Sequence, residues 1–433
     1  MKKIKLNSWG KFTNIDASQY DWKNIQELKS IITSNKSFIP SGNYRSYGDS
    51  AFSNNTINCR TNNNVILFDK SKGFLKVEAG ITLSEILSTI IPYGWFLGVT
   101  PGTKYSTLGG AIASDVHGKN HHINGCFSEY VLDIDLMLPS GSMINLTKED
   151  ELFKATCGGM GLTGVIVSAT LRLVKIKSTN IDQTTIKTAS LMETFNIFEE
   201  FANATYSVAW FDGFSNGDTF GRSIIQIGNF STDGNLEFKD QSIKFLPFKL
   251  FSFFFNKYFI RVFNAIFYNL TSSKKVKSKV HFTKFFYPLD KFYDWNKIYG
   301  KNGFIQYQFI LPLNNSYEGI KEIFSLIQKK NIYPYLAVLK LYGEKNDNYI
   351  SFPIRGYSLA LDFKRNDETL IMIKDLDALV VKRGGRVYLT KDAQIDESSF
   401  KKMYPESEKF ISIRKKYNLD GKMKSSQSMR IGI

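Results

Sequence analysis

The sequence predicts an α+β protein with two cores, one organised by glycine-rich turns and the other by an antiparallel sheet with helices on one face. Three observations carry that expectation. The 433 residues, 43% of them hydrophobic and 15% aromatic, supply enough chain and apolar mass for two domains and exclude a disordered polypeptide. Glycine clusters at residues 41–50, 101–122 and 158–164 sit between apolar runs, as needed where backbone passes close to a large ligand without a Cβ in the way. Residues 177 to about 400 instead carry alternating strand patterns, TYSVAWFDGF and GFIQYQFIL, the second followed by a helical period through residues 316–330.

Taken in order, residues 22–36 read as a helix leading into FIPSGNYRSYGDSAF, where Phe38 and Ile39 start a short strand and the remainder is a loop centred on Tyr47, Gly48 and Asp49. A plain turn is the alternative explanation of Gly42 and Gly48. NVILFD (64–69) and FLKVEA (74–79) pair as strands, and a helix follows from Thr82, an N-cap with Glu85 three residues on, ending near Pro92. Next comes YGWFLGVTPGTKYSTLGGAIASDVHGKNHH, Tyr93 to His122, in which three of the four histidines fall within six residues. Paired histidines suit zinc, but no carboxylate or cysteine lies at helical or knuckle spacing around them, and the glycines point to a flat ligand against backbone. A loop cluster of hydrogen-bonded histidines is the remaining alternative. Residues 130–138 and 142–146 form a strand pair across Pro139, Ser140 and Gly141, and residues 151–175 give a short helix, a glycine turn and a long strand. Glycines ahead of a strand reverse the Rossmann order, and no Walker A sequence occurs.

The formal charge of +16 implies an anionic partner, whether nucleic acid, an acidic membrane surface or a phosphorylated substrate. No RRM signature, zinc finger or basic heptad array is present, so nucleic acid is not expected. Cys59, Cys126 and Cys157 are odd in number and widely spaced, which indicates neither a disulfide framework nor a CxxC site and favours a reducing, cytoplasmic setting. The N-terminal MKKIKLNSWGKFTN lacks an apolar h-region, and no run approaches twenty apolar residues, so neither a signal peptide nor a transmembrane helix is expected. The stretch Gln241–Lys284 holds nine Lys/Arg, twelve Phe/Tyr and no acidic residue. Its run FKLFSFFFNKYFIRVFNAIFYNL suits a basic amphipathic helix at an anionic bilayer surface, making the protein peripherally membrane-associated, or else a core-packed insertion.

RSYGDS (45–50), PGT (101–103), TLGGAIASDVHGKNHH (107–122) and GGMGLTG (158–164) resemble the vanillyl-alcohol-oxidase-type (PCMH-type) flavoproteins, and within them the family that oxidises polyprenyl-phosphate ribose. The likeness continues in order through AWFD (209–212), FYPLDKFYDWNKIYG (286–300), GFIQYQF (303–309), LKLYG (339–343) and GGRVYLTKD (384–392). Each motif is weak alone; the ordered set is specific.

The resemblance implies a two-part FAD-binding domain, residues 1–176 plus a C-terminal return over 404–433, with a substrate domain over 177–403. It places FAD against Ser41, Gly42, Arg45, Ser46, Tyr47, Gly48 and Asp49 in the first loop, and against Gly102, Thr107, Leu108, Gly109, Gly110, Ser114, His117, Ile166 and Tyr388 elsewhere. Several relatives attach FAD through a histidine in the first loop; Tyr47, Gly48 and Asp49 stand there in this chain, so non-covalent FAD is expected. Lys391, Tyr47 and His117 are the catalytic candidates, and Lys119, Tyr287, Gln306, Gln308, Lys340 and Lys391 the substrate-binding ones. Independently of the resemblance, Gln306 and Gln308 share one strand face, where two amides suit a hydroxyl-rich ligand or form a polar stripe. Lys340 in YLAVLKLYG and Lys391 in VYLTKDA are costly to bury unless paired or used, or else they snorkel. Ala360, in GYSLALDF, stands where relatives carry a cysteine reactive toward nitroaromatic inhibitors, so no adduct is expected there.

The implied activity is oxidation of C2 of a polyprenyl-phosphate ribose, with a separate short-chain dehydrogenase reducing the keto sugar to give an arabinosyl donor for cell-envelope glycan. An aldonolactone or alditol oxidase on soluble sugars is the enzymatic alternative. A non-catalytic basic scaffold for membrane or nucleic acid is the rival of another class.

Overall fold

The computed structural model describes residues 1–240, 242–245, 255–271, 274–292 and 294–433, and the chain builds three sheets in sequence order, an α+β fold as expected. The first has β1 (Lys2–Asn7), β2 (Asn14–Tyr20), β3 (Ile39–Ser41) and β4 (Asn55–Asn58) in the order β1-β2-β4-β3. The helix Ile25–Ser34 between β2 and β3 starts because the Asn24 side chain accepts from the Glu27 amide, and it buries Leu28 and Ile32.

The second sheet holds β5 (Val65–Asp69), β6 (Phe74–Glu78), β7 (Trp95–Leu97), β8 (Val131–Met137), β9 (Met143–Thr147) and β10 (Val165–Lys175). Strand β10 is its spine, antiparallel to β6, β7 and β8. The helix Leu83–Ile90 carries both halves of the expected capping box, Thr82 with Glu85, and gives way at Ile91–Tyr93 to a tight turn containing Pro92. Gly94 takes a φ of 75° there, which only glycine adopts without strain.

The third sheet is wholly antiparallel: β11 (Asn180–Thr188), β12 (Tyr206–Phe211), β13 (Ser223–Phe230), β14 (Lys275–His281), β15 (Phe304–Pro312), β16 (Leu336–Tyr342), β17 (Gly356–Lys364) and β18 (Arg386–Val387). Their order is β14-β11-β13-β12-β16-β17-β15-β18. Alternation divides its residues between two faces. Ala209, Phe211, Phe309, Leu339, Leu359 and Leu361 are buried on the side covered by the helices Leu313–Lys330 and Asp367–Lys382, with the Phe211 and Phe324 rings 5.0 Å apart. Each fully buried Leu or Phe among them contributes about 1.5–3 kcal/mol. The intervening residues Val208, Trp210, Gln306, Gln308, Val338, Lys340 and Ala360 form the other face, and they line a cavity.

The C-terminal segment comes back to the first sheet: Phe38 N–H donates to Lys422 O, Lys424 N–H to Phe38 O, and Ser426 N–H to Phe52 O. Of the basic aromatic stretch, the described part includes a helix, Lys257–Leu270, begun by the Asn256 side chain accepting from the amides of Tyr258 and Phe259, and then strand β14. Gln241 and residues 246–254 and 272–273 of that expectation lie outside the described residues.

Candidate active site

Turns of the first half and the open face of the eight-stranded sheet enclose a cavity of about 660 Å³, within the range of small-molecule sites. The first wall is backbone. A Cβ on Gly42 would stand 2.2 Å from Thr107 Oγ1, so the first loop and the turn at Thr107 touch only because residue 42 is glycine. Thr107 Oγ1 in turn accepts from the Gly110 amide, opening the short helix Leu108–Ala113. Among the described residues, the amides of Asn43 through Ser46 donate to no protein acceptor. Tyr44 holds a φ of 49° in this loop, a strained conformation for a bulky residue, and its hydroxyl pins it by donating to Ser41 Oγ at 2.8 Å and accepting from Gln19 Nε2. A glycine-lined cradle with spare amide donors fits a flat, phosphate-bearing cofactor.

The far end of the first loop fixes the residues that face the sheet. A Cβ on Gly48 would stand 1.8 Å from Asp392 O, and the Tyr47 amide donates to Thr390 O at 3.1 Å. The loop is thereby clamped to the turn carrying Lys391, whose Nζ lies 3.6 Å from the centroid of the Tyr47 ring. Arg430, from the C-terminal helix Ser426–Arg430, locks the clamp by bridging Asp49 at 2.7 Å and Asp392 at 2.9 Å. Asp115, at a φ of 38°, holds the turn between Ser114 and His117 by accepting from Ser128 N and from the side chains of Asn346, Asn348 and Ser351.

On the sheet side, Gln308 Nε2 donates to His117 Nε2 at 3.1 Å, leaving His117 Nδ1 to carry the proton, buried and without a partner among the described residues. Burial, then the charge of Lys340, holds His117 well below the ordinary imidazole range, so it is neutral. Gln306 Nε2 donates to Asp362 Oδ1 at 2.6 Å, and Tyr299 O–H donates to the other oxygen at 3.0 Å. Burial pushes the Asp362 carboxyl up to about 6. Burial also pulls the Lys391 ammonium down to about 7, with Asp362 opposing that shift and Lys340 adding to it. Lys119 is drawn to about 7 by burial and then by Lys340, and Lys340 itself to about 8 by burial. Three amines poised between charged and neutral thus surround one cavity.

Most of the expected residues converge here. Ser41, Gly42, Arg45, Ser46, Tyr47, Gly102, Thr107, Gly109, Gly110, Ser114, His117, Ile166 and Tyr388 line the first wall, and Lys119, Gln306, Gln308, Lys340 and Lys391 complete the enclosure. Four do not reach it. Gly48 and Asp49 are turned to the clamp described above, Leu108 points into the core, and the Tyr287 hydroxyl pairs with Thr100 Oγ1 at 2.6 Å behind the wall. His121 and His122 separate from His117: His121 Nδ1 accepts from the Gly343 amide and His122 Nε2 faces Ala204 O. Among the described residues no group of three His, Cys, Asp or Glu side chains is placed to hold a metal ion.

Sequence reasoning missed Asp362 and Trp210. An acid inside the apolar strand run SLALDF is the signal that marks Asp362. Trp210 reaches the cavity only through strand register opposite Val338.

Residues 22–147 match the FAD binding domain family, in agreement with the cradle they build, and the protein is an FAD-dependent oxidoreductase. Over 99% of its length the chain is 33% identical to the decaprenylphosphoryl-beta-D-ribose oxidase of Mycolicibacterium smegmatis, of which it covers 97%. It belongs to the decaprenylphosphoryl-β-D-ribose oxidase family. Shorter likenesses extend to the D-lactate dehydrogenase of Anaerostipes hadrus, 25% identical over 26% of this chain and 25% of that one. The Delta(24)-sterol reductase of Pisum sativum is 30% identical over 26% of this chain and 21% of its own length.

Proposed function

We propose that the protein oxidises C2 of a polyprenyl-phosphate ribose to the 2-keto sugar. Lys391 carries this reading: a buried amine near pKa 7, against the Tyr47 ring and lining the same cavity as two amides on one strand face, is suited to taking a proton from a sugar hydroxyl. FAD, when bound, supplies the acceptor for the hydride. The first loop from Ser41 to Tyr47, with Gly102, Thr107, Gly109, Gly110, Ser114, Ile166 and Tyr388, holds it without a covalent bond, since Tyr47, Gly48 and Asp49 offer no histidine. Residues 1–176 with 404–433 serve as the cofactor domain and 177–403 as the substrate domain.

Gln306 and Gln308 hydrogen-bond the sugar hydroxyls, and Asp362 tunes the Lys391 amine by its charge. Tyr47 fixes the position of Lys391 through ring contact, while neutral His117 shapes the pocket without adding charge beside the reacting carbon. Lys340 and Lys119 regain full charge when a phosphate enters and so pair with it. The keto product then requires reduction by a second enzyme of short-chain dehydrogenase type to complete an epimerisation. A soluble aldonolactone or alditol would satisfy the polar end of the cavity but leave Trp210, Ile224 and Val338 facing water.

The test is to supply FAD-loaded protein with polyprenyl-phosphoribose and an electron-accepting dye. A sugar product lighter by two hydrogens supports the reading; oxidation of soluble sugars alone sinks it.

A further inference from the structure

The cavity changes character as it crosses the sheet. In one row of register partners, Gln308 on β15 faces Ala360 on β17, then Val338 on β16, Trp210 on β12 and Ile224 on β13. With strands about 4.8 Å apart, roughly 19 Å separate the polar end at Gln308 from the apolar end at Ile224. There Phe267 also lines the cavity, its ring 4.9 Å from that of Trp210. Phe267 belongs to the helix Lys257–Leu270, so the apolar end of the site opens under that helix.

The helix is built inside out. The side that packs on the protein is hydrogen-bonded, with Asn264 Nδ2 donating to Asp212 Oδ1 and Tyr268 O–H donating to Thr188 O. The side turned away presents Phe259, Val262, Phe263, Ile266 and Leu270, between 50% and 75% exposed, while Phe267 sits at the margin toward Trp210. A surface helix normally buries its apolar stripe. This one holds Lys257 and Arg261 and no acidic residue. Edge strand β14, which follows the helix in the chain, carries exposed Lys275 and Lys277, with Lys279 paired to Asp233; Lys275 lies opposite Ile186, two residues from the Thr188 that anchors Tyr268. Apolar side chains flanked by cations complement an anionic lipid surface. Among the described residues no helix is long and apolar enough to cross a membrane, so the helix lies on the surface.

We infer that Lys257–Leu270 seats the protein in the headgroup layer of an anionic bilayer, and that the substrate's lipid chain passes from that layer between Phe267 and Trp210 into the cavity. The docking stands on the helix alone; the route of the chain rests on the lipid-linked substrate proposed above.

Flotation of the full-length, FAD-loaded protein tests this with phosphatidylcholine vesicles, plain or carrying roughly 30 mol% phosphatidylglycerol. The protein is expected to float with the anionic vesicles. The pair Val262→Asp, Ile266→Asp should cut the floating fraction at least about tenfold while keeping bound FAD and turnover of a water-soluble, short-chain phosphoribose. The pair Arg261→Glu, Lys277→Glu leaves the apolar face intact and should abolish the preference for anionic vesicles. Failure of the wild-type protein to float, equal flotation of the aspartate pair, or a dimer that hides this face and stays off vesicles would each overturn the inference. Protein that floats as expected yet oxidises no phosphoribose would overturn the substrate reading and the chain's route, with docking upheld.

Discussion

On the glycine-lined wall of the cavity, Gly42, Gly109 and Gly110 expose backbone, and side chains matter mainly for pinning the turns. On the sheet wall, Gln306, Gln308, Lys340 and Lys391 bring functional groups into the cavity, and the backbone matters mainly for register. The first design holds a flat molecule of fixed shape, so its tolerance is steric. The second positions polar atoms whose protonation is set by burial, so its tolerance is electrostatic.

That contrast makes predictions of decreasing size. Lys391→Ala should lower kcat by about 10²–10⁴, the usual worth of a positioned acid or base, while FAD stays bound. Steady-state kinetics on protein with unchanged flavin content checks this, and full turnover would remove Lys391 from proton transfer. Gly48→Ala acts on the other wall: its Cβ would meet Asp392 O at 1.8 Å, forcing Tyr47 and Lys391 apart. Loss of bound FAD and a stability cost of about 1–3 kcal/mol are expected. Thermal unfolding beside Gly421→Ala, where nothing lies within 4 Å, supplies the control. Gln308→Ala should cost about tenfold in kcat/KM, since one net hydrogen bond of about 1–1.5 kcal/mol to a sugar hydroxyl is lost and the His117 ring is freed.

The smallest effect is the most specific to the electrostatic side. Lys391 must be neutral to accept a proton, so kcat should rise with pH through about 7. Burial is the largest effect and lowers the Lys391 pKa; the negative Asp362 opposes it and the positive Lys340 adds to it. Asp362→Asn removes the raising charge and should move the midpoint to lower pH, whereas Lys340→Met should move it to higher pH. A profile indifferent to both changes would mean that another group governs the proton.

The same contrast explains what the sequence reveals. Glycine at a tight approach leaves a local mark, and so does a capping box; the 41–50 loop and the Thr82–Glu85 pair are legible because neighbours in sequence make them. The shared face of Gln306 and Gln308 is likewise fixed by a two-residue period. Asp362 is marked locally as an acid in an apolar run, but its pairing with Gln306, like the place of Trp210, depends on which strand lies beside which, a relation no local pattern encodes. Tyr287 and Leu108 show the reverse failure: correct segments whose side chains turn inward, Tyr287 to Thr100 and Leu108 to the core.

The most direct test is to mix the FAD-loaded protein, without oxygen, with polyprenyl-phosphoribose and follow the flavin's visible absorbance. Bleaching by the lipid-linked pentose and none by free aldonolactones or alditols is the predicted result. Bleaching by soluble sugars alone, or no bleaching by either, would contradict the account.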